Sequence, residues 1–155
     1  MMTHQTDPFA SFSSLLRAAL DDLLEPDAET FLDMVANDIV MEFPYAPPSG
    51  VSRVEGKEAL AEYLPGAASL ITIESMSEPV VHRAQDSGIA ILEFTCTGHG
   101  TETGIAYDQT YISVVTVTDG YITHYRDYWN PLIALRAMGG DDAIAAALKE
   151  TGDAQ

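Results

Sequence analysis

Apolar side chains in the first half of the chain recur at helical spacing. Between Pro8 and residue 24 they fall three or four residues apart, which places them on one face of a helix. A second, short helix is expected from about Asp27 to the Asn37-Asp38 pair, followed by a strand over residues 39–43, and a third helix is expected after Gly56. The apolar stripe of the first helix is formed by Phe9, Phe12, Leu15, Leu16, Ala19, Leu20, Leu23 and Leu24.

The second half of the chain has the composition of β-strands. Four segments rich in Val, Ile, Thr, Tyr and Phe are separated by turn residues. The Asp119-Gly120 pair supplies the positive φ angles of a tight hairpin, so we expect the last two strands to be antiparallel neighbours. The four predicted strands are residues 70–83, 88–97, 106–118 and 121–129.

The C-terminal segment completes an α+β pattern. Pro131 favours the start of a helix, Gly139-Gly140 its end, and Asp141 can cap an Ala-rich tail helix that reaches about residue 149. Helices followed by a meander of strands are not the alternating units of a parallel sheet. To bury both apolar surfaces, a mixed or antiparallel sheet must curve around the N-terminal helices. We therefore predict a cone-shaped sheet that encloses a pocket.

Composition limits the class of partner. The chain of 155 residues has the size of one domain, and no apolar run approaches the length of a membrane helix. With 24 acidic and 7 basic residues, its formal charge of -17 repels phosphate backbones and anionic membranes. We expect a small hydrophobic molecule as partner, with no nucleic acid and no membrane. The first residues lack a secretory signal pattern, which predicts a cytoplasmic location.

The cysteine and the histidines give little sign of a metal site. Cys96 is the only cysteine, so no internal disulfide can form, and its apolar neighbours are typical of a buried thiol. His4, His82, His99 and His124 contain no pair at the spacing of a helical zinc site. We predict no bound metal and no cofactor.

The stretch of residues 125–131 is the first candidate for chemistry. Alternation along a strand places Tyr125, Asp127 and Trp129 on one face and Arg126 on the other. If the first face is concave and dry, lost hydration raises the pKa of Asp127 towards the range of proton transfer. If that face is wet, Asp127 is an ordinary surface residue. For Arg126 we favour a structural salt bridge on the far face.

Glu42 and His99 are further candidates. Glu42 lies among apolar strand residues, and it either enters the pocket as a second carboxylate or points to solvent while Met41 and Phe43 pack inward. His99 lies between two glycines at a strand end, where it can serve catalysis or ligand orientation, or where the glycines simply permit a bulge. Rings with polar tips that can line a pocket for a carbonyl or hydroxyl ligand are those of Tyr45, Tyr107, Tyr125 and Trp129.

The order of elements, together with the sequences of residues 43–48, 55–57 and 125–131, resembles the nuclear transport factor two-like superfamily. The resemblance covers roughly residues 9–140, within a single SnoaL-like domain of residues 1–155. It is greatest to the SnoaL-like polyketide cyclases, the limonene epoxide hydrolases and the phenazine-biosynthesis condensing proteins. The resemblance implies a cone-shaped α+β barrel, usually a homodimer, around one hydrophobic pocket.

The same resemblance suggests roles for individual residues. The run of residues 95–100 is similar to the phenazine-biosynthesis family, in which a carboxylate matching Asp127 acts as acid and base. Phe94 and Cys96 stand where the epoxide hydrolases carry an Arg/Asp pair, so that mechanism is doubtful and both become candidates for the pocket wall. The loop of residues 47–50 contains no aspartate to match the base of ketosteroid isomerases.

These observations predict a small-molecule enzyme that performs acid/base chemistry on a hydrophobic carbonyl compound. Isomerisation, cyclisation, dehydration and condensation share one step, which is proton transfer beside a carbonyl. Asp127, His99 and Glu42 are the predicted catalytic residues. The alternative is a noncatalytic ligand-binding or dimerisation module of the same fold.

Overall fold

The N-terminal helices have clear local causes. The computed structural model of the protein describes residues 9–85 and 87–153, so the predicted helix start at Pro8 lies outside the described residues. Helix α1 spans Ala10–Leu20 and continues as a 3-10 turn over Asp21–Leu23. Helix α2 spans only Phe31–Met34. Its start is set by a reciprocal cap, in which the side chains of Thr30 and Asp33 each accept a hydrogen bond from the other residue's backbone N–H. The predicted second helix therefore exists, but it begins later than expected.

Strand β1, Val35–Glu42, begins directly after α2. The expectation that Asn37-Asp38 ends a helix is wrong, since both residues lie inside this strand. They are exposed where the pairing of β1 with its neighbour shifts register, so polar side chains cost little there. Strand β2, Arg53–Glu55, was not predicted because three residues are too few to give a periodic pattern.

Helix α3, Lys57–Leu70, confirms the predicted third helix and buries Leu60 and Leu64. The segment predicted as one strand over residues 70–83 forms two, β3 over Ile71–Met76 and β4 over Val80–Arg83. Pro79 lies between them, where a residue without an N–H group interrupts the strand.

The long strands form one mixed sheet. Strands β5, β6 and β7 span Ile89–Gly100, Gln109–Thr118 and Tyr121–Tyr128. The strand order is β2-β1-β7-β6-β5-β3, with β4 also paired to β5. Only the β1–β7 pairing is parallel among the described strands. The predicted hairpin between β6 and β7 is confirmed, with φ angles of 53° at Asp119 and 89° at Gly120.

The inner face of the curved sheet packs against α1 and α2. Helix α4, Pro131–Asp153, follows β7 and changes direction at Gly140, whose φ of 70° interrupts the helix where the glycine pair was predicted to end it. The architecture is the predicted α+β cone, with a curved and unclosed sheet wrapped around the N-terminal helices. No helix among the described residues is long and apolar enough to cross a membrane. Wholly buried core side chains include Leu16, Leu20, Met34, Ile39, Leu92 and Ile122.

Candidate functional site

A pocket of about 920 Å³ opens inside the cone. Its wall includes the start of α1, the C-terminal ends of β1 and β7 and the loop between β1 and β2. Helix α3, strand β3, the first half of α4 and single residues of α2, β5 and β6 complete it. Apolar groups make up most of this wall, as is usual for sites that bind small molecules. Its rings include Phe12, Phe43, Tyr63, Phe94, Tyr111 and Trp129.

Asp127 is part of this wall, on the face of β7 that turns towards the helices. The side chain is half-buried, since its carboxyl faces the cavity and not the exterior. Burial raises the pKa of Asp127 to about 7, and a hydrogen bond from Ser113 opposes the rise. Ser113 Oγ lies 3.4 Å from Asp127 Oδ1, which is a long contact. Near pH 7 the carboxyl therefore exchanges between its charged and neutral forms.

The pocket gives Asp127 no positive partner. Among the described residues that line it, none is Lys, Arg or His, and Asp127 is the only acid. An ionised carboxylate without a cation is unfavourable in an apolar wall, which is the physical reason for its raised pKa. A ligand that carries an anion would add a second negative charge beside it.

Tyrosine hydroxyls supply hydrogen-bond donors to the same cavity. The hydroxyls of Tyr107 and Tyr111 lie 2.6 Å apart, and both side chains line the pocket with Tyr63. Burial raises the pKa of Tyr107 to about 12 and that of Tyr111 well above its ordinary value. Both hydroxyls therefore stay protonated at neutral pH. Their mutual bond needs one of two hydrogens, so the second is left to donate elsewhere.

Four of the predicted site residues share the pocket wall. Asp127, Trp129, Tyr107 and Phe94 all line the cavity. Tyr125 does not, because Phe12 and Phe31 pack edge-on against its ring and it is wholly buried behind the wall. Its predicted contact with a ligand is therefore wrong, although alternation correctly placed it on the same face as Asp127.

Glu42 lies on the opposite face of the sheet. Its Oε1 accepts a hydrogen bond of 2.9 Å from Arg53 Nη1, and its Oε2 lies 2.6 Å from His124 Nε2. The bond with His124, followed by attraction to Arg53, holds the pKa of Glu42 below its ordinary value. Met41 and Phe43 face the pocket instead. The prediction of a second pocket carboxylate is wrong, and the solvent-facing alternative is correct.

His99 and Tyr45 also lie outside the described pocket wall. His99 Nδ1 is 2.7 Å from Glu74 Oε1 on the edge formed with β3, so it faces away from Asp127. Tyr45 is 58% exposed and packs edge-on against Tyr128, with ring centroids 5.3 Å apart. His99 is therefore not placed to act with Asp127, and Tyr45 does not line this cavity, which corrects the two expectations.

Neither Cys96 nor Arg126 is among the residues that line the pocket. Cys96 is buried in a small cluster with Tyr107, Ala134 and Ala137, and burial raises the pKa of its thiol. Tyr107 and Ala134 line the pocket, but Cys96 does not. The expected ligand contact of Cys96 is therefore wrong, while the expectation of a buried thiol is correct. The salt bridge predicted for Arg126 is not formed with any described residue, and its Nε is buried without a partner there.

Sequence reasoning missed Tyr63, Tyr111 and Ser113. Tyr63 was identified only as a helix residue, and Tyr111 only as a strand residue. Ser113 had no signal of its own, because its importance comes from standing directly opposite Asp127 in the β6–β7 pairing. Two fully buried residues that do not line the pocket, Ser113 and Tyr125, are thus connected to Asp127 by hydrogen bonds.

The chain is similar to known proteins over most of its length. The model of the SnoaL-like domain matches residues 16–125. An uncharacterized protein of Bacillus subtilis named YesE is 42% identical over 85% of this chain and 90% of its own length. An uncharacterized PhzA/B-like protein of Pseudomonas aeruginosa is 38% identical over 77% of this chain and 84% of its own.

A solved structure agrees with this assignment. It is that of a Bacillus subtilis protein described provisionally as an isomerase, with 41% identity, a TM-score of 0.71, and coverage of 87% of this chain and 97% of that one. The chain therefore belongs to the SnoaL-like domain family, and its fold is that of nuclear transport factor two-like proteins.

Proposed function

We propose that this protein is an enzyme that performs general acid/base chemistry on an uncharged, hydrophobic carbonyl compound, with Asp127 as the proton carrier. The observation that carries the proposal is the position of this one carboxyl in the wall of an apolar pocket, where burial raises its pKa to about 7. General acids and bases work best when their pKa lies near the operating pH.

The proposed reaction begins with proton transfer beside a carbonyl group. Ionised Asp127 removes a proton from the adjacent carbon, the carbonyl oxygen becomes an enolate oxygen, and Asp127 keeps the proton until it returns it at another atom. A hydroxyl from Tyr63, Tyr107 or Tyr111, which line the same cavity as Asp127, donates a hydrogen bond to that oxygen. Isomerisation, cyclisation, dehydration and condensation of carbonyl compounds can each begin with this step.

The pocket wall supports an uncharged substrate. A cavity of about 920 Å³ has room for a molecule of several rings, and mostly apolar side chains surround it. With no Lys, Arg or His among its described lining residues, the wall offers nothing to neutralise a phosphate or carboxylate group. The name of one relative, described provisionally as an isomerase, supports an enzymatic role but does not bear on the charge of the substrate.

Proton abstraction can be measured without knowledge of the natural substrate. We suggest the bicyclic ketone 2-tetralone in D₂O, with NMR following the loss of its acidic carbon-bound hydrogens. Wild-type protein is expected to accelerate exchange above the buffer rate, and Asp127→Asn to lose this acceleration. The matched control is Glu42→Gln, which neutralises a carboxylate on the outer face and is expected to exchange at the wild-type rate.

The noncatalytic alternative gives a different result in the same experiment. A binding module would hold the ketone without accelerating exchange, or would accelerate it equally in the Asp127→Asn variant. Either result contradicts the proposal. The structure favours catalysis, because Asp127 has the Ser113 hydroxyl as its hydrogen-bond partner and no arginine among the described residues pairs with it.

A further inference from the structure

Behind Asp127 lies a short chain of two buried hydroxyls. Tyr125 donates to Ser113 Oγ at 2.7 Å, and Ser113 Oγ lies 3.4 Å from Asp127 Oδ1. Ser113 and Asp127 are direct cross-strand partners, and Tyr125 lies two residues before Asp127 on the same face of β7. Both Tyr125 and Ser113 have no exposed surface. The chain therefore reaches Asp127 through buried residues that do not line the cavity.

The directions of these hydrogens follow from counting donors and acceptors. Each hydroxyl has a single hydrogen to donate. Phe12 and Phe31 pack against the ring of Tyr125, and Ser113 is the hydrogen-bond partner that the described residues give to its hydroxyl. Because the Tyr125 hydrogen is committed to Ser113 Oγ, the Ser113 hydrogen is left to point at Asp127.

This order of donation favours the ionised form of Asp127, which accepts the last hydrogen bond. A chain that ends in a donated hydrogen stabilises the ionised carboxylate. If Asp127 instead donated to Ser113 Oγ, that oxygen would accept two hydrogens, and the Ser113 hydrogen would lose the acceptor that the described residues give it. An unsatisfied buried donor is costly. The arrangement therefore opposes the desolvation that favours neutral Asp127.

We propose that Ser113 and Tyr125 are positioning residues for Asp127: together they fix one carboxylate oxygen and make the acid easier to ionise, while its other oxygen faces the ligand. The terminal torsion of an aspartate is broad, so a donor to a single oxygen restricts it substantially. Neither residue touches the substrate. The proposal depends on the proposed function for its catalytic meaning, although its effect on Asp127 can be measured in the protein alone.

Among the described residues, no other titratable side chain whose pKa responds to Asp127 changes its charge in the pH range where Asp127 titrates. The ionisable side chains whose pKa responds to the charge of Asp127 are Tyr63 from α3, Tyr107 from the segment before β6, Tyr111 from β6 and Tyr125 from β7. Burial raises the pKa of each, so all four remain neutral where Asp127 titrates. A change in the Asp127 titration after removal of Ser113 is then attributable to the lost donor.

The test measures the pKa of Asp127 in Ser113→Ala, Tyr125→Phe and the control Ser75→Ala. The titration is recorded by carbon-13 NMR of the Asp127 carboxyl carbon, and the signal that is missing in Asp127→Asn identifies that carbon. Losing a donor to a charged group should raise this pKa by about half a unit to one unit in Ser113→Ala. Tyr125→Phe should give a smaller rise, since Ser113 keeps its own hydroxyl. The control Ser75→Ala removes a hydroxyl that pairs with Thr97 outside the described pocket wall and should give no shift.

The exchange of 2-tetralone gives a second measurement. In Ser113→Ala, the acidic limb of the pH–rate profile should move to higher pH with the NMR pKa, and the plateau rate should fall several-fold with little change in KM. A purely structural role would lower stability and leave the profile in place. An unchanged Asp127 pKa in folded Ser113→Ala and Tyr125→Phe overturns the proposal. If these shifts occur but Asp127→Asn retains full exchange, the proposed function fails while the effect on ionisation stands.

Discussion

The two faces of the same sheet carry two carboxylates with opposite surroundings. Glu42 on β1 and Asp127 on β7 belong to neighbouring strands, yet Glu42 pairs by register with Arg126 and faces outward. Glu42 has Arg53 and His124 as partners, whereas Asp127 has one neutral hydroxyl, that of Ser113. Their pKa values accordingly move in opposite directions, below the ordinary value for Glu42 and up to about 7 for Asp127.

This contrast shows that location and partners, not residue type, decide what a carboxylate can do. On the outer face, the hydrogen bond with His124 and the guanidinium of Arg53 stabilise the charge, so Glu42 stays ionised and cannot exchange protons usefully near pH 7. On the inner face, burial in the apolar wall removes hydration from Asp127, and no described lining residue supplies a positive charge. A shift of one position along β7, from Arg126 to Asp127, exchanges one environment for the other.

The largest expected effect is on proton transfer. Removing a general base from an active site costs about 10²- to 10⁴-fold in rate, and we expect a loss of this size in Asp127→Asn. Glu42→Gln should remain within about twofold of wild type, because it lies across the sheet from the pocket. The measurement is the exchange of 2-tetralone described above. Equal losses in both variants would break the comparison.

The next largest effect is on the free energy of unfolding. Neutralising Asp127 on the inner face should increase it, whereas neutralising Glu42 on the outer face should decrease it. The folded pKa of Asp127 is raised by about three units, so the unfolded chain ionises first as pH increases, and stability is lost between about pH 4 and pH 7. Above that window the cost is roughly 4 kcal/mol. Asp127→Asn should therefore be more stable than wild type at pH 8, and the difference should vanish below pH 4.

Urea denaturation of both proteins at pH 8 and at pH 4 measures this difference in unfolding free energy. A difference independent of pH would indicate that the amide changes packing and not ionisation. A destabilised Asp127→Asn variant at pH 8 would contradict the dry environment assigned to the carboxyl.

A third effect concerns the charge of the ligand. The neutral ketone 2-acetylnaphthalene should bind at least about tenfold more tightly than 2-naphthoate at pH 8, because the carboxylate would lie near ionised Asp127 without a cation to offset it. In Asp127→Asn the difference in affinity between the two ligands should become smaller. Calorimetry with both ligands measures it, and tighter binding of the acid by wild-type protein would show that a positive group reaches the pocket.

The smallest effect belongs to the outer face. The folded pKa of Glu42 is lowered, so its contribution to stability is present above its ordinary pKa and is lost as pH falls through the lowered value. Because the site is partly exposed, Glu42→Gln should cost no more than about 1 kcal/mol at pH 7. Urea denaturation in low and high salt checks it, since screening should reduce the loss. A stabilised variant would contradict the pairing.

Strand patterns in the sequence were sufficient to predict the cone and the acid at its centre. Alternation in residues 125–129 correctly put Asp127 and Trp129 on one face, and the Asp119-Gly120 turn correctly paired the last two strands. The same alternation could not show that Phe12 and Phe31 cover Tyr125, since those rings come from elements distant in sequence.

Register explains why Ser113 could not be found. Counting five residues back from Thr118 and five forward from Tyr121 pairs Ser113 with Arg126. A shift in register between Thr116 and Val117 moves the pairing by one, and Ser113 meets Asp127 instead. Bulges of this kind leave no clear mark in a single sequence, so the partner of the acid becomes visible only in three dimensions.

The central claim is that Asp127 holds its proton near neutral pH because the pocket keeps it dry. The most direct measurement is the carbon-13 titration of its carboxyl group in the wild-type protein, with Glu42 as an internal comparison. The structure predicts a midpoint near 7 for Asp127 and one below the ordinary value for Glu42. A midpoint for Asp127 at or below about 4, the value of an aspartate in water, would contradict it.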